Sequence, residues 1–238
     1  MNEVIEQLHA RKSVRVFTDE PVTSEEERAI LEAACQAPTA GNQQLYSIVV
    51  VRDGRKKAAL AESCDHQPFI AKAPLVLAFC ADVRRWYRGF TVAGCAPREP
   101  GVGDFLLAME DTMIAAQNAV VAAESLGIGS CYIGDILENC EEQARILDCP
   151  RWVVPVSVVV FGRPTEGQKR RKKPVRWALE QVVYEDSYVD ADDDALVAQL
   201  AEKQADVRAF CERKWNSGFS REMTNSSARI LEQFSREA

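Results

Sequence analysis

The sequence is poor in the residues that enzymes most often use to move protons. Only two histidines, His9 and His66, occur in 238 residues. A Ser-His-Asp triad or a histidine-rich metal site therefore has little to draw on. The eight cysteines form no Cys-x-x-Cys pair and neither histidine has ligand spacing to one, which removes zinc ribbons. The expectation is reduced, buried thiols in a cytoplasmic protein. No G-x-G-x-x-G follows a strand-like run, no G-x-x-x-x-G-K precedes Ser or Thr, and no G-x-S-x-G elbow occurs. Ordinary Rossmann dehydrogenase, P-loop NTPase and hydrolase readings all lose ground. A clean bilayer span is missing too. The most apolar stretch, 105–127, is broken by Glu110, Asp111, Gln117, Asn118 and Glu124. The opening "MNEVIEQLHA" is polar and amphipathic, unlike a secretory leader. Finally, positive charge is not in excess: the formal net charge is -7, so any anion site must be local.

What is present is the composition of a globular protein, 47% hydrophobic and 27% charged, with enough chain for one domain and an appendage. Short helical spacing covers Val4–Leu8. Thr23 with Glu26, or Ser24 with Glu27, can box the start of a helix that Pro38 ends. "YSIVVV" (46–51), "PLVLAFCAD" (74–82) and "WVVPVSVVVFG" (152–162) read as strands, and Pro155 calls for a bulge or an edge position. A helix is expected over Arg55–Ser63. The 84–103 segment reads as a loop with a short helix at "RRWYRGF". A helix capped by Asp104, apolar nearly all round, should lie in the centre or in a subunit interface. An acidic helix over Glu138–Leu147 and two amphipathic helices, 194–214 and 226–237, complete the pattern. The mixture is that of an α/β or α+β fold with a helical appendage.

Four segments carry chemistry. In "ARKSVR", Arg11, Lys12 and Arg15 surround Ser13, and arginine forks with a hydroxyl suit a phosphate or a polyol chain. "APTAGNQQ" (37–44) offers backbone N–H groups, hydroxyls and amides without charge, as a neutral heterocycle requires. "ESLGIGSCYIGDI" places glycines at 127, 129 and 134, where backbone can approach a flat ligand. "GRPTEGQKRRKKPVR" holds the basic run Lys169–Lys173 with Arg176, which reads as a localisation signal, a nucleic-acid patch, a solvated loop or the second half of a phosphate site.

In this order, the stretches "ARKSVRVFTDEPV", "APTAGNQQ", "AQNAVVAAESLGIGSCYIGDI" and "VVFGRPTEGQKRR" resemble the FMN-dependent nitroreductase family, in particular its oxygen-insensitive NAD(P)H nitroreductases and flavin reductases. The resemblance covers most of residues 1–190. It implies an α+β, three-layer fold: a mostly antiparallel central sheet flanked by helices, in an entwined homodimer. The core would be 1–185, with a helical excursion over 186–238 covering the core and its active site. FMN would sit at the dimer interface, with NADPH or NADH as co-substrate and a small oxidised molecule as acceptor. Arg11, Lys12, Ser13 and Arg15 would hold the phosphate and ribityl chain, with Arg15 nearest flavin N1 and the C2 carbonyl. Thr39, Ala40, Gly41 and Asn42 would lie beside the ring, Gln67 at its pyrimidine edge. Backbone of Tyr132, Ile133, Gly134 and Asp135 would face N5 and O4. Lys169 and Arg171 would complete the phosphate site, and Arg213, Lys214 and Arg221 lie where relatives meet the nicotinamide cofactor. No side chain is expected to act as acid or base, because the flavin carries the hydride. Rival readings are a specialised flavin, ene- or dehalogenating reductase on the same site and, in another class, a nucleic-acid-binding protein using 168–176. Neither nucleic acid nor membrane is an expected partner, and no metal is expected.

Overall fold

The computed structural model describes residues 2–235. Four strands form one antiparallel sheet in the order β1-β2-β4-β3: β1 (Tyr46–Val50), β2 (Leu75–Asp82), β3 (Gly129–Ile133) and β4 (Val153–Gly162). β2 is buried along its whole length, and β4 all but its first residue. Both faces of these two strands are covered, which is why their sequences run apolar without alternation. The period of two is still visible in what each residue touches. Val76, Ala78, Val158 and Val160 pack on one side against Leu60, Ala61, Ile70 and Ile146. Those four come from α3 (Gly54–Ser63), α4 (Pro68–Lys72) and α7 (Cys140–Ile146). Leu75, Leu77, Phe79, Val159 and Phe161 pack on the other side against Ile30 and Ala34 of α2 (Ser24–Cys35) and Ala116, Ala119, Val120 and Ala123 of α6 (Val102–Ser125). The result is a three-layer α+β fold.

Pro155 lies in a central strand, so the edge alternative falls and the bulge stands. The ladder pairs Phe79 with Ser157 and Cys80 with Pro155, leaving Val156 as the extra residue. Of the two capping boxes, Thr23 with Glu26 forms: Thr23 Oγ1 accepts from Glu26 N–H at 3.2 Å and Glu26 Oε2 accepts from Thr23 N–H at 2.9 Å. Asp104 does not cap α6 from outside. It occupies the third helical position, accepts the Gly101 N–H at 2.7 Å and pairs with Arg98 at 2.6 Å, which draws the helix start back to Val102. Gly127, at φ +71°, takes the left-handed turn that ends α6. The first helix, α1, spans Glu3–Ala10, and α5 spans Arg84–Val92.

Two compact units are present, one of Met1–Arg171 with Met223–Ala238, the other of Lys172–Glu222. The expected single helix over 194–214 is two, α9 (Asp193–Lys203) and α10 (Val207–Lys214). Gln204 turns extended between them, and Asp206 accepts from Ala209 N–H at 2.8 Å to start the second. The helix expected over 226–237 is α11 (Gly218–Glu232); residues 236 and 237 lie outside the described residues. In the first unit, Ile230 and Phe234 join a core with Phe105, Trp152 and Val154. All eight thiols are free. Cys35, Cys95 and Cys211 are exposed, against the expectation of burial, because they sit on outer helix faces or in a loop. No helix among the described residues is long and apolar enough to cross a membrane.

Candidate functional site

The N-terminal arm after α1 is laid along the end of the sheet. Ser13 bridges Ser130 in parallel, Val14 N–H donates to the Ser130 carbonyl at 2.9 Å, and Thr18 N–H donates to the Arg163 carbonyl at 2.9 Å. Two glycines permit this crossing. A Cβ on Gly129 would stand 2.6 Å from Val14 Cγ2, and one on Gly162 would stand 2.7 Å from the Phe17 ring. The glycine at 129 therefore serves the close approach of the arm. Gly134 has open space where its Cβ would be.

The crossing brings the two basic segments together. Lys12 Nζ donates to the Lys169 carbonyl at 2.6 Å. A guanidinium nitrogen of Arg171 donates to the Ser13 carbonyl at 2.5 Å. Arg15 N–H donates to Gln168 Oε1 at 3.2 Å. The second segment is a one-turn helix, α8 (Glu166–Arg170). Lys169 Nζ pairs with Glu166 at 2.8 Å, but no ion pair among the described residues uses Arg11, Lys12, Arg15 or Arg171. Arg11 donates to Ser130 Oγ at 3.4 Å, and its Nε is buried with no hydrogen-bond partner among the described residues. A buried, unanswered N–H on a cation is costly unless an anion answers it.

The fields of these cations meet on β3. Burial pushes the Cys131 thiol up, and Arg15, the Ser13 hydroxyl, Arg11 and Arg171 oppose it in that order. Burial pushes the Tyr132 phenol up to about 12, with Arg11 opposing. The Arg11 guanidinium lies 5.8 Å from the Tyr132 ring centroid, and the Tyr132 hydroxyl donates to Gln117 of α6 at 3.1 Å. Arg15 reaches the other way and lies 5.8 Å from the centroid of Phe69. Arg11, Lys12, Ser13, Arg15, Tyr132, Lys169 and Arg171 thus form one electropositive neighbourhood. Ile133 is buried beneath it; Gly134 is exposed and Asp135 half-buried in the 3-10 turn that follows β3.

Five expected residues, Gln67 and those of the 39–42 loop, are not bonded into that neighbourhood. The Gln67 amide N–H donates to the Cys64 carbonyl at 2.8 Å, within its own turn at the start of α4. Thr39, Ala40, Gly41 and Asn42 form a 3-10 turn anchored on α6 instead. There Asp111, buried, accepts from the Thr39 hydroxyl, from Ala40 N–H at 3.0 Å and from Leu45 N–H at 3.1 Å. Asp111, Ser130, Phe69 and Gln168 were not among the expected site residues. Asp111 carried a signal, as one of the few acids in a mostly apolar helix; Ser130 and Gln168 lie inside segments that the sequence singles out without naming them, and Phe69 carried none.

Residues 8–163 match the family model described as the Nitroreductase family. The chain is 32% identical over 235 residues to an NAD(P)H FMN reductase of Bacillus subtilis (strain 168), covering 98% of this chain and 92% of that protein. It is 35% identical over 206 residues to an oxygen-insensitive NADPH nitroreductase of Salmonella typhimurium, covering 85% and 82%. Among solved structures, the Vibrio harveyi NADPH:FMN oxidoreductase complexed with NAD+ superposes with a TM-score of 0.83 at 26% identity, covering 97% of this chain and 98% of that one.

Proposed function

This chain belongs to the nitroreductase family and is an oxidoreductase, and from that premise we propose that it binds FMN and passes electrons from NAD(P)H to a small oxidised acceptor in two half-reactions. The observation that carries this reading is the meeting of Arg11, Lys12, Arg15 and Arg171 at β3, where among the described residues none of the four pairs with a carboxylate and Arg11 Nε is buried without a hydrogen-bond partner. The set is rich in N–H donors, as a phosphate monoester requires. The residues therefore fit the group. Arg11, Lys12, Ser13 and Arg171 would hold the phosphate and ribityl chain, with Lys169 supplying its carbonyl to Lys12 and a share of the charge. Arg15, carried toward Phe69, would stand by the pyrimidine side, where a cation favours added negative charge. Backbone of Tyr132–Asp135 would face the ring. Bound flavin supplies hydride chemistry, so the chain's own work is to bind, orient and tune.

Nitroaromatics, quinones and free flavin are the acceptor classes proposed, each a flat molecule able to take the place that nicotinamide leaves. A homodimer is proposed as well, because the tip of the 39–42 turn is exposed and makes no bond to the cationic neighbourhood of its own chain. The test is direct. Protein reconstituted with FMN should hold a yellow chromophore through gel filtration, be bleached anaerobically by NADPH or NADH, and regain colour on addition of a quinone. Initial rates against both substrates should give parallel double-reciprocal lines. A folded protein that takes up no FMN would overturn the reading; intersecting lines would overturn the two-step order alone.

A further inference from the structure

The turn at 38–45 holds an unusual backbone. Gly41, Asn42 and Gln44 stand at φ +56°, +56° and +50°, three left-handed positions in four residues, two of them not glycine. Such a stretch persists only where its surroundings over-determine it. Its restraint comes chiefly from one side chain. Asp111, on α6, has its two oxygens filled by three donors from the turn: the Thr39 hydroxyl, Ala40 N–H and Leu45 N–H. Thr39 Oγ1 in turn accepts from Gln44 N–H at 2.8 Å, so the carboxylate acts on both ends of the strained segment. On its far side the Gln43 carbonyl accepts from the Trp86 indole at 2.6 Å. Gly41 and Asn42, between these anchors, are exposed, and among the described residues the Asn42 side chain makes no hydrogen bond. One face of the turn is bolted down and the other is presented.

We propose that Asp111 is a positioning residue for the flavin site: by fastening Thr39, Ala40 and Leu45 it holds the exposed Gly41–Asn42 tip in the shape that meets the bound cofactor. The inference rests on the flavin reading above. A buried carboxylate in an apolar helix face is costly to keep, and here its three hydrogen bonds go to a turn rather than to the sheet core. Asp111→Asn keeps the size but replaces one acceptor oxygen by an N–H donor facing N–H donors. Thr39→Val removes both the donor to Asp111 and the acceptor of Gln44 N–H, and Thr39→Ser restores both.

The first readout needs no flavin. Amide exchange in the apoprotein of Asp111→Asn should be at least tenfold faster for residues 39–45, with β2 and β4 unchanged. The second is cofactor titration, in which Asp111→Asn should raise the FMN dissociation constant at least tenfold and shift the visible spectrum of the bound flavin. Thr39→Val should move both in the same direction, and Thr39→Ser should recover the unmutated values; these two stand in if Asp111→Asn fails to fold. Exchange in the turn that stays at the unmutated rate would overturn the proposal. So would a loosened turn with FMN affinity and spectrum unchanged, since Asp111 would then serve stability alone. An unmutated protein that takes up no FMN overturns the flavin reading itself, and is recognised before any variant is compared.

Discussion

Gly129 occupies a place that a larger side chain cannot share. Its absent Cβ is where Val14 lies, and Val14 is flanked by Ser13 and Arg15, two residues of the cationic neighbourhood. Gly129→Ala should therefore cost about 1–3 kcal/mol, as overpacking of a filled site does, and should weaken FMN retention by displacing the arm. Urea denaturation and gel filtration with FMN measure the two effects; unmutated stability in the variant would show that Val14 gives way freely. At this scale the sequence was legible wherever a residue acts on near neighbours. The Thr23–Glu26 box is an example, because both partners lie within one turn. It was illegible wherever the partner is distant in the chain. The glycine-rich "GIGSCYIG" announced a close approach but not that Val14 makes it. Asp111 announced itself only as a break in an apolar run, since its donors come from a turn on the far side of β1 and β2 in the chain.

Among the elements, α6 leaves several of its large side chains outside. Toward the protein it buries Phe105 and Val120 but otherwise mostly alanines, Ala108, Ala115, Ala116, Ala119 and Ala123, while Leu106, Leu107, Met113 and Ile114 remain exposed. A helix that ended its packing within one chain would turn nearly all of its large side chains inward. Here alanines let α6 approach the sheet closely, and the larger residues are left for another surface. The protein should accordingly sediment as a dimer at micromolar concentration, and Met113→Glu with Ile114→Glu should shift it toward monomer. A monomer without those substitutions would contradict the homodimer. The buried strands were readable because both faces are apolar, and the helices because their stripes are periodic. The break between α9 and α10 was not, because "KQADV" holds neither glycine nor proline; only the cap at Asp206 marks it. The Pro155 bulge was readable as one of two alternatives, and only the pairing of β4 between β2 and β3 decides between them.

For the whole molecule the decisive fact is that two basic segments from opposite ends of the core converge on β3, in a chain whose net charge is -7. Both segments could be picked out from sequence. Their meeting could not, since it depends on the arm crossing the sheet end over Gly129 and Gly162. Local concentration of cations against an acidic whole favours one small anionic ligand over a polyanion. The affinities of FMN and riboflavin, which differ only in the phosphate, test this directly when titrated against the unmutated protein and against Arg11→Ala with Arg171→Ala. Two charge-assisted contacts at about 1.5–3 kcal/mol each correspond to a preference for FMN of roughly a hundredfold or more. The unmutated protein should show that preference, and the double variant should lose most of it while unfolding at nearly the same urea concentration. Equal affinity for the two flavins, or a preference that survives both substitutions, would contradict the phosphate clamp.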